Sequence, residues 1–161
     1  MTLSTKLTKF LKRHKVYYQI QFHPETFTSS ETAQAEHISG KKLAKVVMVK
    51  VDKKDVMVVV PSNRTVDLLK LSTALGTNNV RIEEEKEFKD LFPDCEPGAM
   101  PPFAKLYGLP CYVDKSLCGE NEISFNAGNH LETLKIYTLD FLRVSKAIAG
   151  DFSVLGKKVA A

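Results

Sequence analysis

Lys45 interrupts an otherwise apolar run, Ala44-Lys45-Val46-Val47-Met48-Val49. An ammonium at the start of a buried strand has two uses. It can snorkel back to water along its methylene stem. It can also stand at the rim of a pocket and meet an anion, a task that suits a compact charge with three donors. The second chemical feature is the stretch Glu96-Pro97-Gly98-Ala99-Met100-Pro101-Pro102-Phe103. Each proline fixes its own φ and removes an N–H donor. Gly98 leaves the main chain open to approach. The product is a stiff loop with one accessible backbone patch, either a rigid connector or the wall of a ligand site. The third feature is His130, which follows the turn Ala127-Gly128-Asn129 and is either a surface-loop residue or a substrate contact. His23-Pro24-Glu25 has the H-x-E spacing of zinc deaminases, which also need a P-C-x-x-C pair. Pro110-Cys111 is followed by Cys118, too far along, so zinc is rejected and Pro24 marks a turn. The sequence offers no persuasive Ser-His-Asp or Cys-His arrangement.

These residues need elements to hold them. Ser4 can cap a helix from Thr5 to Lys15, with Leu3, Leu7, Phe10, Leu11 and His14 on one face. Lys6, Lys9, Lys12, Arg13 and Lys15 take much of the rest, as a solvated face or as an electrostatic footprint for RNA phosphates. Val16 to Gln21 reads as a strand. Ser29 and Ser30 offer caps for a short helix through Ala33, Ala35 and His37, stopped at Gly40. Ala44–Val49 and Val56–Val60 are interior strands joined by an Asp52-Lys53-Lys54-Asp55 hairpin. Alternation places Lys45, Val47 and Val49 on one face, and Ala44, Val46 and Met48 on the other. Thr65 is expected to cap a helix ending at Gly76, and Glu83 to Leu91 to form another. Short strands follow at Val80–Ile82, Cys111–Asp114, Ile123–Asn126 and Leu134–Tyr137, with a loop from Asp114 to Glu120. A last helix spans Leu139 to Ala149, and the tail beyond it is expected to be loose.

The chain of 161 residues suits one domain with a real core, taken as 1–161. No apolar run approaches the roughly 20 residues of a membrane span, so no membrane role is expected. Cys95, Cys111 and Cys118 are odd in number and lack C-x-x-C spacing, which argues for reduced thiols and a cytoplasmic location. A net charge of +4 permits contact with nucleic acid without demanding it. Strands and helices alternate in a mixed order, neither a strict βαβ series nor all-β.

Several of these pieces together resemble the YbaK/prolyl-tRNA-synthetase-associated editing family. They are Leu43-Ala44-Lys45-Val46-Val47-Met48-Val49-Lys50, the hairpin to Val56-Met57-Val58-Val59-Val60-Pro61, and the loop Glu96 to Phe103. Leu109-Pro110-Cys111-Tyr112-Val113-Asp114 and Phe125-Asn126-Ala127-Gly128, with His130 just after, complete the set. The likeness runs from about His23 to Val144. It implies an α+β fold, a single domain with a mixed, barrel-like β-sheet flanked by helices. It implies hydrolysis of the ester between a mischarged amino acid and the end of a tRNA; since the sequence holds no metal set, the reaction is expected to use neither metal nor cofactor. The implied partners are the aminoacyl-tRNA acceptor end and prolyl-tRNA synthetase.

By the same resemblance the family lysine maps onto Lys45, the loop glycine onto Gly98, and the histidine of some subgroups onto His130. Lys45 and Gly98 are then the catalytic candidates. Ala99, Met100, Pro101, Phe103, Val47 and His130 are the substrate-binding candidates, with Met100, Phe103 and Val47 narrowing the pocket. The cysteinyl-specific branch tends to carry a Gly-Gly-x-Ser-Pro loop. Gly98-Ala99-Met100-Pro101-Pro102 is closer to the branch resembling alanyl-specific enzymes. Ala104 stands where a glycine often follows the family's Pro-Phe. The competing class is a non-catalytic module that binds a tRNA or a synthetase.

Overall fold

The computed structural model describes residues 4–22, 32 and 39–156. The His23-Pro24-Glu25 turn and the helix expected through Ala33, Ala35 and His37 lie outside them. Helix α1, Thr5–Arg13, starts where Ser4 Oγ accepts the Leu7 N–H at 3.2 Å. Its buried residues Leu7, Phe10 and Leu11 recur at helical spacing and leave the lysines outside. Strand β1, Gln19–Phe22, starts three residues later than expected.

β2, Leu43–Val51, and β3, Lys54–Pro61, form the longest antiparallel pair. Asp52 and Lys53 turn between them at φ 53° and 96°, the positive values that a tight hairpin turn requires. β4, Arg64–Val66, occupies the place given to a turn and helix start. Helix α2, Leu68–Leu75, is capped by Asp67, whose Oδ1 accepts the Leu69 and Lys70 N–H groups, rather than by Thr65. β5, Val80–Ile82, follows. The expected Glu83–Leu91 helix is α3, Glu85–Phe88, continued by a 3-10 turn at Lys89–Leu91. A second 3-10 turn, Ala104–Tyr107, leads to β6, Cys111–Asp114.

The expected loop after β6 contains α4, Lys115–Cys118, started by the Asp114 carboxylate accepting the Ser116 N–H. β7, Glu122–Asn126, and β8, Glu132–Tyr137, pair antiparallel. Helix α5, Thr138–Ser145, stops four residues short of Ala149 because Lys146 turns left-handed at φ 58°. The chain then adds β9, Ile148–Gly150, and β10, Ser153–Leu155. The tail up to Leu155 is therefore not loose, since β10 pairs with β4.

The main sheet runs β1-β8-β7-β2-β3-β6-β9, with β5 also on β2. It is mixed, being parallel at β2/β7, β3/β6 and β6/β9 and antiparallel elsewhere. This is the expected α+β arrangement, but the sheet is open rather than barrel-closed, because β1 and β9 end the path. One face carries Ala44, Met48, Met57, Val59, Ile123, Phe125, Leu134 and Ile136 into a core shared with α1 and α5. The other face, on β2 and β3, carries Val47, Val49, Val56, Val58 and Val60 into a smaller core with Leu71 and Phe152.

Candidate functional site

Lys45 pairs with Val60 across the β2–β3 ladder, so its side chain leaves on the face of the smaller core. It is half-buried, and desolvation lowers its pKa below the ordinary lysine value. Among the described residues no carboxylate forms an ion pair with it. Its neighbour on the other side is β7. The parallel register sets Leu43 against Ser124 and Ala44 against Phe125, so the next residues along are Lys45 and Asn126. Register continues outward, with Ser124 opposite Lys135 and Asn126 opposite Thr133 on β8. Gln19 and Gln21 on β1 then face Lys135 and Thr133. Two polar rungs thus cross this half of the face, Gln19-Lys135-Ser124 and Gln21-Thr133-Asn126, and Lys45 follows Ala44, the last β2 residue paired with β7. Lys45 stands at the border between these rungs and the valine-rich core.

Beyond Asn126 the chain turns through Ala127 to His130 and meets the proline loop. The Glu96 N–H donates to the Gly128 carbonyl at 2.8 Å, and the Gly128 N–H donates to the Ala99 carbonyl at 2.9 Å. Asn129 is fully buried and shapes the turn, its Oδ1 accepting the Leu131 and Glu132 N–H groups. His130 is also buried, and its Nε2 lies 2.9 Å from the Pro97 carbonyl. A carbonyl only accepts, so the Nε2 proton points at Pro97. Glu96 Oε2 accepts the His130 N–H at 3.3 Å.

Gly98 itself is exposed and has φ +84°. A Cβ there would lie 3.6 Å from His130 Cε1, an ordinary contact, so the backbone rather than space asks for glycine. Among the described residues the Gly98 N–H donates only to Met100 Sδ, at 3.3 Å. A thioether is a weak acceptor, so this donor is readily given to a better one.

The structure brings Gly98 and His130 together, and hydrogen bonds join their loop to Gly128, in the turn that leaves β7 after Asn126. It does not bring Val47 together with Met100 and Phe103. Val47 packs against the smaller core, whereas Met100 and Phe103 belong to the larger one on the opposite face. Ala99 and Phe103 are fully buried, and Met100 and Pro101 nearly so; they seat the loop from beneath. Sequence reasoning passed over Asn126, Ser124, Thr133 and Lys135. The signal was present in the strict alternation of Ile123-Ser124-Phe125-Asn126 and Thr133-Leu134-Lys135-Ile136, whose polar members share a face once the register is known.

A family model described as an aminoacyl-tRNA editing domain matches residues 23–144. Among solved structures, the hypothetical protein APE2540 superposes with a TM-score of 0.83 at 19% identity, covering 92% of this chain and 99% of that one. A candidate trans-editing enzyme for prolyl tRNA synthetase superposes with a TM-score of 0.80 at 21% identity, covering 94% of this chain and 96% of the other. A candidate signal transduction protein from Marinobacter aquaeolei matches over 95% of this chain but only 31% of its own length, at 19% identity and a TM-score of 0.73. Among curated proteins none matches the chain significantly. At these identities the superpositions establish the shared fold. No described helix is long and apolar enough to cross a membrane.

Proposed function

The chain belongs to the aminoacyl-tRNA editing domain family, and from that premise we propose that it is a trans-editing deacylase. It would hydrolyse the ester of a mischarged tRNA, with a small amino acid such as Ala or Cys on the proline-specific tRNA. The observation that carries this reading is the exposed Gly98 main chain, held at positive φ against His130 at the end of the strand beside Lys45.

An aminoacyl ester is already activated, so positioning and electrostatics supply most of what is needed. The Lys45 ammonium, half-buried and without an ion-pair partner among the described residues, meets the terminal phosphate or nearby acceptor oxygens. The Gly98 N–H exchanges its thioether contact for the ester carbonyl oxygen and stabilises the charge that grows there. Water attacks the carbonyl carbon. The tetrahedral intermediate collapses with cleavage of the bond to the ribose oxygen, which leaves with a proton originating from that water. His130 fixes the Pro97 carbonyl and so the pitch of the loop. No metal enters this scheme, and activity is expected to survive EDTA.

Editing has a physical reason. A pocket shaped for proline excludes a smaller side chain only weakly, because one methylene is worth about 1–3 kcal/mol. A second site then selects by small size. Deacylation of a panel of purified aminoacyl-tRNAs tests the reading, with alanyl ester on the proline tRNA expected to be lost faster than prolyl ester. Failure to cleave either alanyl or cysteinyl ester above background overturns it. One feature favours a second reading, a binding module: Lys6, Lys9, Lys12, Arg13 and Lys15 are all exposed on and just after α1. Gel-shift binding without deacylation would select that reading. Prolyl-tRNA synthetase is the proposed partner in either case.

A further inference from the structure

The proline loop is stiff within itself, so its setting is decided at its base. The Ala99 N–H donates to the Glu96 carbonyl at 3.0 Å and closes a turn over Pro97 and Gly98. Proline second and glycine third, with Gly98 at φ +84°, is the order a type II turn requires. Such a turn moves as a body and carries the Gly98 N–H with it. Its base meets two other segments. The Glu96 N–H donates to the Gly128 carbonyl, and a Cβ on Gly128 would come within 3.2 Å of Ser4 Cβ and 3.6 Å of the Asp94 carbonyl oxygen. The Ser4 N–H in turn donates to the Ala127 carbonyl at 3.0 Å. The residue that caps α1 is thus wedged between the loop base and the turn after β7.

One side chain closes this junction. Asp94 Oδ2 accepts the Ser4 hydroxyl at 2.6 Å, and Oδ1 accepts the Tyr107 hydroxyl at 2.9 Å and the Cys95 thiol at 3.4 Å. Burial pushes the Asp94 carboxyl pKa up, but the bonds from Ser4, Tyr107 and Cys95 outweigh it and hold the pKa below the usual value. The carboxylate is met by neutral donors, and no cation pairs with it among the described residues. Each donor comes from a different place: Ser4 from the start of α1, Cys95 from the entry to the loop, Tyr107 from the 3-10 turn that follows the loop. One anion therefore gathers both ends of the loop onto the start of a helix that Leu7, Phe10 and Leu11 anchor in the larger core.

We propose that Asp94 is a positioning residue of the deacylation step, setting the direction of the Gly98 N–H through the base of its turn. The inference rests on the deacylase reading above and deepens it. Asp94 needs no contact with the substrate; it acts through Gly98.

Steady-state deacylation of alanyl-tRNA tests this, on variants that circular dichroism shows to be folded at the assay temperature. Asp94→Ala should lower kcat about 10-fold and change KM by less than about 2-fold, because a misdirected donor costs transition-state stabilisation and leaves the contacts that bind the tRNA in place. Tyr107→Phe removes one donor and keeps the ring. It should lower kcat about 3-fold with KM again unchanged, and it decides the matter if Asp94→Ala does not fold. Leu71→Ala is the control for instability. It opens a cavity in the smaller core, on the other face of the sheet, and should lower the melting temperature while keeping the wild-type kcat. A wild-type kcat in Asp94→Ala overturns the assignment, as does a rise in KM without a fall in kcat. An equal fall of kcat in Leu71→Ala also overturns it, since Asp94 would then be a structural brace only. Each of these results leaves the deacylase reading standing. If the wild type cleaves neither alanyl nor cysteinyl ester, the deacylase reading itself fails and the assignment falls with it.

Discussion

At the scale of single residues, Lys45 carries the sharpest expectation. Its ammonium is half-buried, unpaired among the described residues, and set at the edge between valines and polar rungs. A charge kept there without a counter-ion costs stability, so its retention points to a ligand that supplies the counter-ion. Lys45→Ala is expected to lower kcat/KM for alanyl-tRNA by about 10²-fold or more while leaving the melting temperature unchanged or raised. Circular dichroism melts beside a deacylation assay check both halves, and normal turnover would remove Lys45 from the mechanism. A pH signature accompanies it. Burial lowers the lysine pKa, so the cation is present at low pH and is lost as pH rises through a value below the ordinary 10.5. Affinity for a non-hydrolysable amide analogue of the alanyl-tRNA end should therefore fall on the basic side earlier than an exposed lysine would allow, and that limb should vanish in Lys45→Ala. Lys45 was legible in the sequence because a lone charge in an apolar strand is conspicuous. Asn126 was not, since one asparagine near a turn looks like turn chemistry until the register of β7 and β8 sets it opposite Thr133 in a polar rung.

At the scale of elements, the proline loop and the β2–β3–β5 junction each yield a test. The loop was readable as stiff and exposed at Gly98, and the β2–β3 hairpin was readable from its charged turn. Phe103, expected to narrow a pocket, is instead fully buried, with ring centroids 5.7 Å from Phe10, 5.4 Å from Phe125 and 5.5 Å from Phe141. Sequence alone could not separate these roles, since an aromatic after two prolines serves equally as wall or anchor. Phe103→Ala should cost about 3–5 kcal/mol in guanidinium unfolding. A cost under about 1 kcal/mol would return the ring to the pocket wall. At the junction, the sequence pattern places Glu83 at the start of a helix, but it precedes α3 and its side chain is wholly buried. Among the described residues neither of its oxygens has a hydrogen-bond partner, and Lys50 Nζ stays 3.7 Å away. Desolvation, reinforced by the Asp55 carboxylate, pushes its pKa from 4.5 up to about 7. The folded state then holds a proton that the unfolded chain has released, so stability is highest below the unfolded value and declines as pH rises from 4.5 toward 7. Glu83→Gln keeps the shape without the charge. Melting temperatures of variant and wild type should be similar near pH 5 and diverge in favour of the variant by pH 8; parallel curves would show that Glu83 is not the group responsible. The missed elements share one cause. β4, α4, β9 and β10 are each three or four residues long, too short for periodicity, and β4 and β10 exist through pairing with each other.

At the scale of the whole molecule, the open question is what the excess of +4 charge does, and α1 is where it concentrates. The helix is anchored by Leu7, Phe10 and Leu11, so its outer face is fixed in direction relative to the sheet. Lys6 is already used, since its Nζ lies 4.8 Å above the Tyr107 ring and reaches the Leu106 carbonyl at 3.5 Å. Lys9 and Lys12 are exposed, and neither joins an ion pair among the described residues. A solvated face and an RNA footprint look alike in such a helix, but they differ in how binding responds to salt. Each lysine that meets a phosphate displaces condensed counter-ions and adds about 0.7–0.9 to the slope of log K against log salt. Glutamine keeps nearly the same helix propensity as lysine, so Lys9→Gln with Lys12→Gln removes charge without unwinding α1. If both lysines sit on phosphates, the double variant should bind the proline tRNA more weakly at low salt, with its slope reduced by about 1.4–1.8. Deacylation of a short aminoacylated minihelix too small to reach α1 should be unaffected, because Lys45 and Gly98 are untouched. An unchanged salt slope would assign the α1 lysines to solvation and leave acceptor-end recognition to the Lys45 face alone.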